Sequence, residues 1–366
     1  MKSKIITFVF IFYILGVGLI NIVSPTHDLS YSERRKFAQF PDISIDNIFN
    51  GKFDEDFEKY SLDQFIFRDG FRKVKSFIEL KILNKTDNNN IYVIDGNIFK
   101  KEYPLNVDSV YDISYKINAI NELFLKDMDV SFTIIPDKGY FIEDKEKYLT
   151  IDYEILESIM LEELRDLDYI DLFDVLELDD YYKTDHHWRQ NKLDDVVNKI
   201  ALEMDFMTDF SKIVYSNKTY DPFYGAYYGQ AALNIKPDTI NYLNNATTSE
   251  ATVCKFESMN SEICSTGLYF EDELGSIDSY SVFLGGDSPI VTIENKNNTS
   301  GKELIIFKDS FTNSITPLLL EEYSTIKLVD LRFVSYDTLD QFIEFTDQDV
   351  LFMYSTLIIN KSYILR

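Results

Sequence analysis

The chain has 366 residues, 45% of them hydrophobic, so it can bury a full core and is long for one minimal domain. Its 36 basic and 62 acidic residues give a formal net charge of −26 at pH 7. This charge disfavours nucleic acid and anionic lipid surfaces as partners, so we expect no nucleic-acid function.

The first predicted element is a membrane helix. Residues 5–22 are uncharged and mostly apolar, at the lower end of the length that spans a bilayer. Lys2 and Lys4 precede this run and favour a cytoplasmic N-terminus, with the rest of the chain outside. A cleaved signal peptide is the alternative, but no A-x-A site follows the run. We therefore predict an uncleaved signal anchor over residues 1–24 and a single-pass membrane protein.

Residues 25–90 are predicted to form a mostly helical, charged segment that packs on the domain after it. Phe53, Phe57, Tyr60 and Phe65 recur on one face of this segment. An aromatic stripe with this spacing predicts packing in a core rather than a ligand site.

From residue 91 onward the pattern alternates between strands and helices. The predicted strands are 130–135, 169–176, 303–308, 325–331 and 350–354. The predicted helices are 152–165, 189–204, 311–322 and 336–345. Between about 207 and 300 the pattern weakens into short strands with turn residues, which predicts an insertion. The alternation predicts an α/β domain over 91–366, with a mainly parallel sheet covered by helices on both faces.

The two cysteines, Cys254 and Cys264, are close enough in sequence to be bridged in an oxidising compartment. A small structural disulfide and two free thiols both remain open. Neither cysteine has a histidine nearby, which argues against a zinc site.

Two of the three histidines and the only tryptophan stand together in the run from Tyr182 to Trp188. Asp185 lies two residues before His187 and can accept a hydrogen bond from its Nδ1–H, which would fix the tautomer of a general base. The simpler interpretation is a polar turn with two solvated histidines.

Ser310 lies between the predicted strand 303–308 and the predicted helix that follows it. Such a junction exposes a side chain at the carboxyl edge of a sheet and leaves backbone N–H groups free. Ser310 can therefore be a nucleophile, with the amides of Ser310 and Phe311 holding an oxyanion. The alternative is that Ser310 or Asp309 only caps the helix. An oriented histidine and a serine at a strand end together favour a catalytic triad.

Several motifs in order resemble the DHHW family of bacterial proteins. The signature itself is Asp185-His186-His187-Trp188. The other matching segments are 32–41, 51–60, 63–65, 68–69, 88–97, 223–225, 285–286 and 308–311. The family looks like a branch of the alginate O-acetyltransferase, SGNH-hydrolase-like group. By position, the resemblance implies Asp185, His187 and Ser310 as catalytic residues, with His186 at a variable position.

The resemblance implies an extracytoplasmic, serine-dependent O-acetyltransferase that modifies a cell-surface or secreted polysaccharide. It also implies a membrane-bound O-acyltransferase partner that supplies acetyl groups across the bilayer. A carbohydrate esterase with the same triad is the first alternative. A non-catalytic polysaccharide-binding or assembly scaffold is the second. We predict no cofactor, because nucleotide-binding motifs and an H-E-x-x-H motif are absent from the sequence.

Three further residues are candidates for substrate contacts. Arg332 follows a strand and could contact the substrate or its acyl oxygen, although a structural ion pair is an alternative at least as strong. Tyr224 and Gly225 could line a carbohydrate cleft, or form an ordinary aromatic surface loop. We predict no metal site at His186 and His187, because adjacent side chains diverge in extended or helical backbone.

Overall fold

The computed structural model describes residues 2–31, 33–126, 128–144, 146–258 and 261–366. Ser32, the first residue of the matching segment 32–41, therefore lies outside the described residues. The α-helices are α1 Lys2–Val23, α2 Ile45–Phe49, α3 Lys52–Asp63, α4 Arg68–Phe77, α5 Val107–Phe124, α6 Tyr153–Glu163, α7 Asp194–Glu203, α8 Tyr228–Ala231, α9 Ala246–Glu250, α10 Thr312–Leu319 and α11 Thr356–Ile359. A π-helix, Ile78–Ile82, continues α4.

The strands in chain order are β1 Leu29–Ser30, β2 Arg35–Lys36, β3 Ile91–Ile94, β4 Asn97–Lys100, β5 Val130–Ile135, β6 Asp168–Ile170, β7 Ser216–Phe223, β8 Asp238–Asn244, β9 Thr252–Ser258, β10 Ser261–Thr266, β11 Ile290–Glu294, β12 Glu303–Lys308, β13 Thr325–Val329 and β14 Asp349–Ser355. Eight of them form one sheet in the order β10-β9-β11-β13-β12-β14-β5-β6. The five neighbouring strands β13, β12, β14, β5 and β6 run parallel to one another. Strand β11 pairs with β13 in the antiparallel direction, and β9 and then β10 extend the sheet by further antiparallel pairs.

Helices cover both faces of the sheet. In the central strand β12, Ile305 and Phe307 join a core cluster with α5 and α6, whereas Leu304 and Ile306 join another with α7 and α10. A strand covered on both faces is apolar throughout, which is why this run could be recognised from the sequence. The predicted mixed α/β architecture and mainly parallel sheet are confirmed.

Several predicted elements are shorter than expected. Strand β6 ends at Ile170, because the Asp171 carboxylate then accepts the amide hydrogen of Phe173 at 2.8 Å and turns the chain. The predicted helix 189–204 divides into a 3₁₀ turn, Gln190–Lys192, and α7. The predicted helix 336–345 is a 3₁₀ helix, Tyr336–Gln341. Helix α5 has no counterpart among the predicted helices.

The antiparallel side of the sheet carries the disulfide. Cys254 in β9 and Cys264 in β10 face each other directly and are bonded. Strands β9 and β11 lie in the stretch predicted as an insertion, yet they continue the main sheet.

The aromatic stripe of α3 does not pack in a core, so that prediction is wrong. No residue of α3 is buried, and Phe57 and Phe65 remain 42% and 39% exposed. The ring of Phe40 packs instead against those of Phe53, Phe57 and Tyr60. A neighbouring loop rather than the sheet therefore covers these three rings, and Phe65, which follows α3, packs on Phe71 of α4.

Candidate active site

Ser310 lies at the carboxyl edge of the sheet, between the end of β12 and the start of α10. Its side chain is partly exposed. The Oγ atom is 2.8 Å from Nε2 of His187, on a loop 123 residues earlier in the chain. Ser310 can therefore donate its hydroxyl proton to His187 and still be reached by a reactant.

The other ring nitrogen of His187 is held by Asp185. Nδ1 lies 2.7 Å from Oδ1 of Asp185, and the backbone N–H of His187 donates to the same oxygen at 3.0 Å. Because an ionised carboxylate can only accept, the contact at Nδ1 assigns the ring proton to that nitrogen and leaves Nε2 as the acceptor for Ser310, while the backbone bond fixes the position of the carboxylate. Asp185, His187 and Ser310 thus form a continuous hydrogen-bonded chain.

Trp188 connects the loop that carries His187 to the start of helix α10, next to Ser310. Its indole Nε1–H donates to the backbone carbonyl of Phe311 at 3.0 Å and to Oγ of Ser314 at 2.9 Å. The ring is fully buried. The tryptophan of the signature therefore sets the distance between His187 and Ser310.

The second oxygen of Asp185 is bound by groups that lie far from it in sequence and were not among the predicted site residues. Oδ2 accepts the backbone N–H of Ala226 at 2.6 Å and Nη1 of Arg34 at 3.1 Å. Arg34 also donates to the carbonyl of Ile277 and forms an ion pair with Asp278. In the sequence, the only pointer to this role was the position of Arg34 within the matching segment 32–41.

The electrostatics of the site keep Asp185 ionised. Burial alone would raise the pKa of the Asp185 carboxyl, but His186, His187 and Arg34 outweigh burial and hold that pKa well below its usual range. Burial, together with the neighbouring His187, lowers the pKa of His186 to about 3. His186 is therefore a neutral ring at neutral pH.

His186 lies against the triad, contrary to the prediction of divergent side chains. The rings of His186 and His187 are 3.8 Å apart, and Nδ1 of His186 is 3.4 Å from Oδ1 of Asp185. Residues 183–187 form bends, so the divergence expected in a helix or strand does not apply. The possible ligand atoms of Asp185, His186 and His187 are close enough together to hold a metal ion. The closest of these atoms, however, already take part in the hydrogen bond between Asp185 and His187.

Tyr280 covers the opposite face of His187. The two rings stack with centroids 3.8 Å apart and planes 6° from parallel. The Tyr280 hydroxyl donates to Oγ of Ser314 at 2.9 Å, which anchors the ring to α10. His186 and Tyr280 together hold His187 between two rings, an arrangement that no sequence spacing indicated.

The backbone at Ser310 corrects the predicted oxyanion site. The amide of Phe311 donates to Oδ1 of Asp309 at 3.0 Å, so assigning it to the oxyanion was wrong. Asp309 is fully buried, and its other oxygen accepts the amide hydrogen of Ser355 at 2.8 Å. Within the described part of the chain, the amide of Ser310 donates to no group, so it remains the candidate oxyanion donor.

Arg332 takes part in an ion-pair cluster. Its Nε lies 2.9 Å from Oδ1 of Asp330, and its Nη2 lies 2.9 Å from Oδ2 of Asp287. Nζ of the buried Lys308 lies 3.4 Å from the Asp287 carboxylate and 3.6 Å from the Asp330 carboxylate. These contacts support the ion-pair alternative for Arg332 over a free substrate-binding side chain.

The loop at Tyr224 and Gly225 lies beside Asp185. A Cβ at position 225 would come within 2.5 Å of the Asp185 backbone and side chain, so only glycine fits there. The amide of Gly225 donates to Oγ1 of Thr184 at 3.0 Å. Gly225 thus supports the loop that carries the Asp185 carboxylate, whereas Tyr224 is 41% exposed and stays a predicted sugar contact.

The buried Lys138 stabilises the loop over residues 183–187, which is called the signature loop. Nζ of Lys138 donates to the carbonyls of Ile98, Tyr182 and Lys183, at 2.7, 2.8 and 3.1 Å. Lys138 follows β5 at the same sheet edge as Ser310, and that position was its only sequence signal.

Comparison with known proteins agrees with these features. Residues 175–329 match the DHHW protein family. A crystal structure of a DHHW family protein from Eubacterium siraeum DSM 15702 is 23% identical, with a TM-score of 0.61 over 75% of this chain and 93% of that chain. Bacillus cereus PatB1 is 19% identical, with a TM-score of 0.59 over 74% and 97%, respectively. PatB1 with a sulfonyl adduct gives a TM-score of 0.57.

No curated protein matches the sequence. At these identities the solved structures show a shared fold. The matched residues 175–329 contain Asp185, His187 and Ser310, and the resemblance to the DHHW family that the motifs indicate is confirmed.

Proposed function

We propose that this protein is an extracytoplasmic serine O-acetyltransferase that modifies a cell-surface or secreted polysaccharide through an acyl-Ser310 intermediate. The observation that carries the proposal is the hydrogen-bonded chain of 2.7 and 2.8 Å from Asp185 through His187 to Ser310. This is the arrangement that turns a serine hydroxyl into a nucleophile.

In the first half-reaction, Oγ of Ser310 attacks the carbonyl carbon of an acetyl donor while its proton moves to Nε2 of His187. The Asp185 carboxylate stabilises the resulting imidazolium. The amide of Ser310 donates to the oxyanion of the tetrahedral intermediate. The intermediate then collapses to acetyl-Ser310, and His187 returns the proton to the leaving group.

In the second half-reaction, His187 removes a proton from a sugar hydroxyl, whose oxygen attacks the acetyl carbonyl. Collapse of the second tetrahedral intermediate releases the O-acetylated sugar, and the proton returns to Oγ of Ser310. If water takes the place of the sugar, the same steps describe an esterase.

Two observations support a location outside the cytoplasm. Helix α1 includes an apolar span, Lys4–Val23, that is long enough to cross a membrane and is not buried by the rest of the chain. The disulfide between Cys254 and Cys264 fits an oxidising compartment. Protease added to intact cells should therefore degrade the domain beyond α1, and full protection would contradict this location. A membrane-bound O-acyltransferase partner would then supply acetyl groups from the cytoplasm.

The proposal is tested by incubating the full-length protein in detergent with an activated acetyl ester, with and without oligosaccharides. Mass spectrometry then follows acetyl on Ser310, on sugar and as free acetate. We expect acetyl-Ser310 to form without acceptor and to decay faster when oligosaccharide is added. If added oligosaccharide leaves the amount of free acetate unchanged and gains no acetyl groups, the esterase alternative is favoured.

A sulfonyl fluoride tests the nucleophile separately from the acceptor. Sulfonyl fluorides modify activated serines, and PatB1 has been solved with a sulfonyl adduct. We expect Ser310 to be labelled in the parent protein and the Ser310→Ala variant to stay unlabelled. If neither reagent modifies Ser310 in a folded protein, the scaffold alternative replaces the enzyme.

A further inference from the structure

Helix α4 presents an apolar face to the outside of the molecule. Phe67, Phe71, Val74 and Ile78 follow one another at helical spacing, and this set is called the outer face of α4. These side chains are 75%, 54%, 56% and 39% exposed. A surface helix of a globular domain normally turns such a stripe inward.

The polar side of α4 instead faces the protein. Arg68 and Arg72 both bind the carboxylate of Glu33, and Arg72 also donates to the carbonyl of Gly229 at 2.7 Å. Ser76 is buried, and its Oγ accepts a hydrogen bond from Asn88 at 2.8 Å. The ion pairs therefore fix the helix with its apolar side outward, which indicates that something apolar covers that side.

The position of α4 identifies the cover. The amide of Ile66, two residues before α4, donates to Oδ1 of Asn21 in the last turn of α1 at 2.8 Å. The outer face of α4 thus begins where the apolar span of α1 ends. An apolar helix face beside a membrane exit lies at the level of the lipid headgroups and upper acyl chains.

We propose that α4 is an interfacial helix whose outer face inserts into the outer leaflet of the bilayer that α1 spans. Lys73 and Lys75 are exposed on the two flanks of the outer face, where their stems can reach along the lipid while the ammonium groups stay in water. The net charge of −26 opposes attraction to anionic lipids, so the apolar contact drives insertion and zwitterionic lipid suffices.

The test places an environment-sensitive fluorophore on the outer face. Cys254 and Cys264 are bonded to each other, so a Phe71→Cys variant of the full chain offers one reactive thiol. Leu202→Cys is the matched control, because Leu202 is an apolar residue of α7 that is 72% exposed. Both labelled proteins are reconstituted in phosphatidylcholine nanodiscs, with or without lipids that carry a quencher on the upper acyl chain.

We expect the probe at position 71 to shift to the blue and to lose about half or more of its emission to the lipid quencher, with little change at position 202. Quenching of both probes by aqueous iodide to the same extent would overturn the proposal. A blue shift at position 71 without lipid quenching would show that protein covers the face, which also overturns it. Val74→Cys repeats the measurement if the Phe71 variant does not fold.

Discussion

The contact between Arg34 and Asp185 links the N-terminal segment over residues 25–90 to the carboxylate of the candidate triad. Arg34 Nη1 lies 3.1 Å from Asp185 Oδ2, with the arginine side chain 12% exposed and the aspartate fully buried. An Arg34→Gln substitution removes the positive charge and keeps a polar side chain of moderate length. We expect it to lower both stability and turnover.

The magnitude follows from the distance and the remaining partners. Two unit charges 3.1 Å apart attract by about 5 kcal/mol at an effective dielectric constant of 20. Much of that attraction is offset by desolvation, and the carboxylate keeps its donors from His187 and Ala226. We therefore expect a loss of about 1–3 kcal/mol in the free energy of unfolding. The misplaced carboxylate should reduce kcat roughly 10-fold, with a smaller effect on KM.

The pH dependence gives a second readout. Because the folded-state pKa of Asp185 is depressed, its stabilising contribution is present above the unfolded pKa of about 4 and is lost as pH falls through the folded value. Removing Arg34 raises the folded value part of the way toward 4. The acid-induced loss of this contribution therefore ends at a higher pH in the variant, and the stability difference between variant and parent should shrink as the pH falls below about 4.

Urea denaturation across this pH range, together with acetyl-ester turnover, measures these effects. Arg35→Gln is the matched control, because Arg35 binds Glu33 and Asp63 from a side chain that is 39% exposed. We expect the control to cost less than about 1 kcal/mol and to leave kcat unchanged. Equal stability, equal acid sensitivity and equal kcat in the two variants would refute the assigned role of Arg34.

Other substitutions test the remaining contacts of the site. Ser310→Ala should abolish acetyl-enzyme formation in mass spectra while leaving the melting temperature nearly unchanged; acetyl transfer at the parent rate would exclude covalent catalysis there. His187→Ala should reduce kcat by about 10³-fold or more, and His186→Ala by about 10-fold through loss of ring stacking. Equal losses in two folded variants would contradict this division of roles. Trp188→Phe keeps an aromatic ring but removes the N–H donor and part of the buried indole volume, and should cost about 2–4 kcal/mol by urea denaturation; an unchanged midpoint would refute the anchoring role of the indole.

The catalytic chain could be predicted because its signals are local. A continuous apolar run predicts β12, the change to helical spacing after it places Ser310 at a sheet edge, and the two-residue offset selects Asp185 for His187. Each inference needs only a few neighbouring residues, and the resemblance to a known family adds the pairing between them.

The support around that chain could not be predicted, because it depends on contacts between distant segments. Arg34 is 151 residues from Asp185 in sequence, and Tyr280 reaches His187 from a 3₁₀ turn in a weakly patterned region. His186 was misjudged for a different reason. The divergence rule assumes regular backbone, whereas the signature loop bends at every residue from 183 to 187.

The contacts of Arg34 also bear on what the segment over residues 25–90 does. Glu33, next to Arg34, is held by Arg68 and Arg72 of α4, and Arg34 itself binds the Asp185 carboxylate. A domain that began at residue 91 would lack one of the two groups bound to Oδ2 of Asp185, leaving the buried charge with a single partner on that side. The segment over residues 25–90 is thus part of the candidate active site rather than a spacer, because the ion pairs that orient α4 are adjacent to the one that orients Asp185.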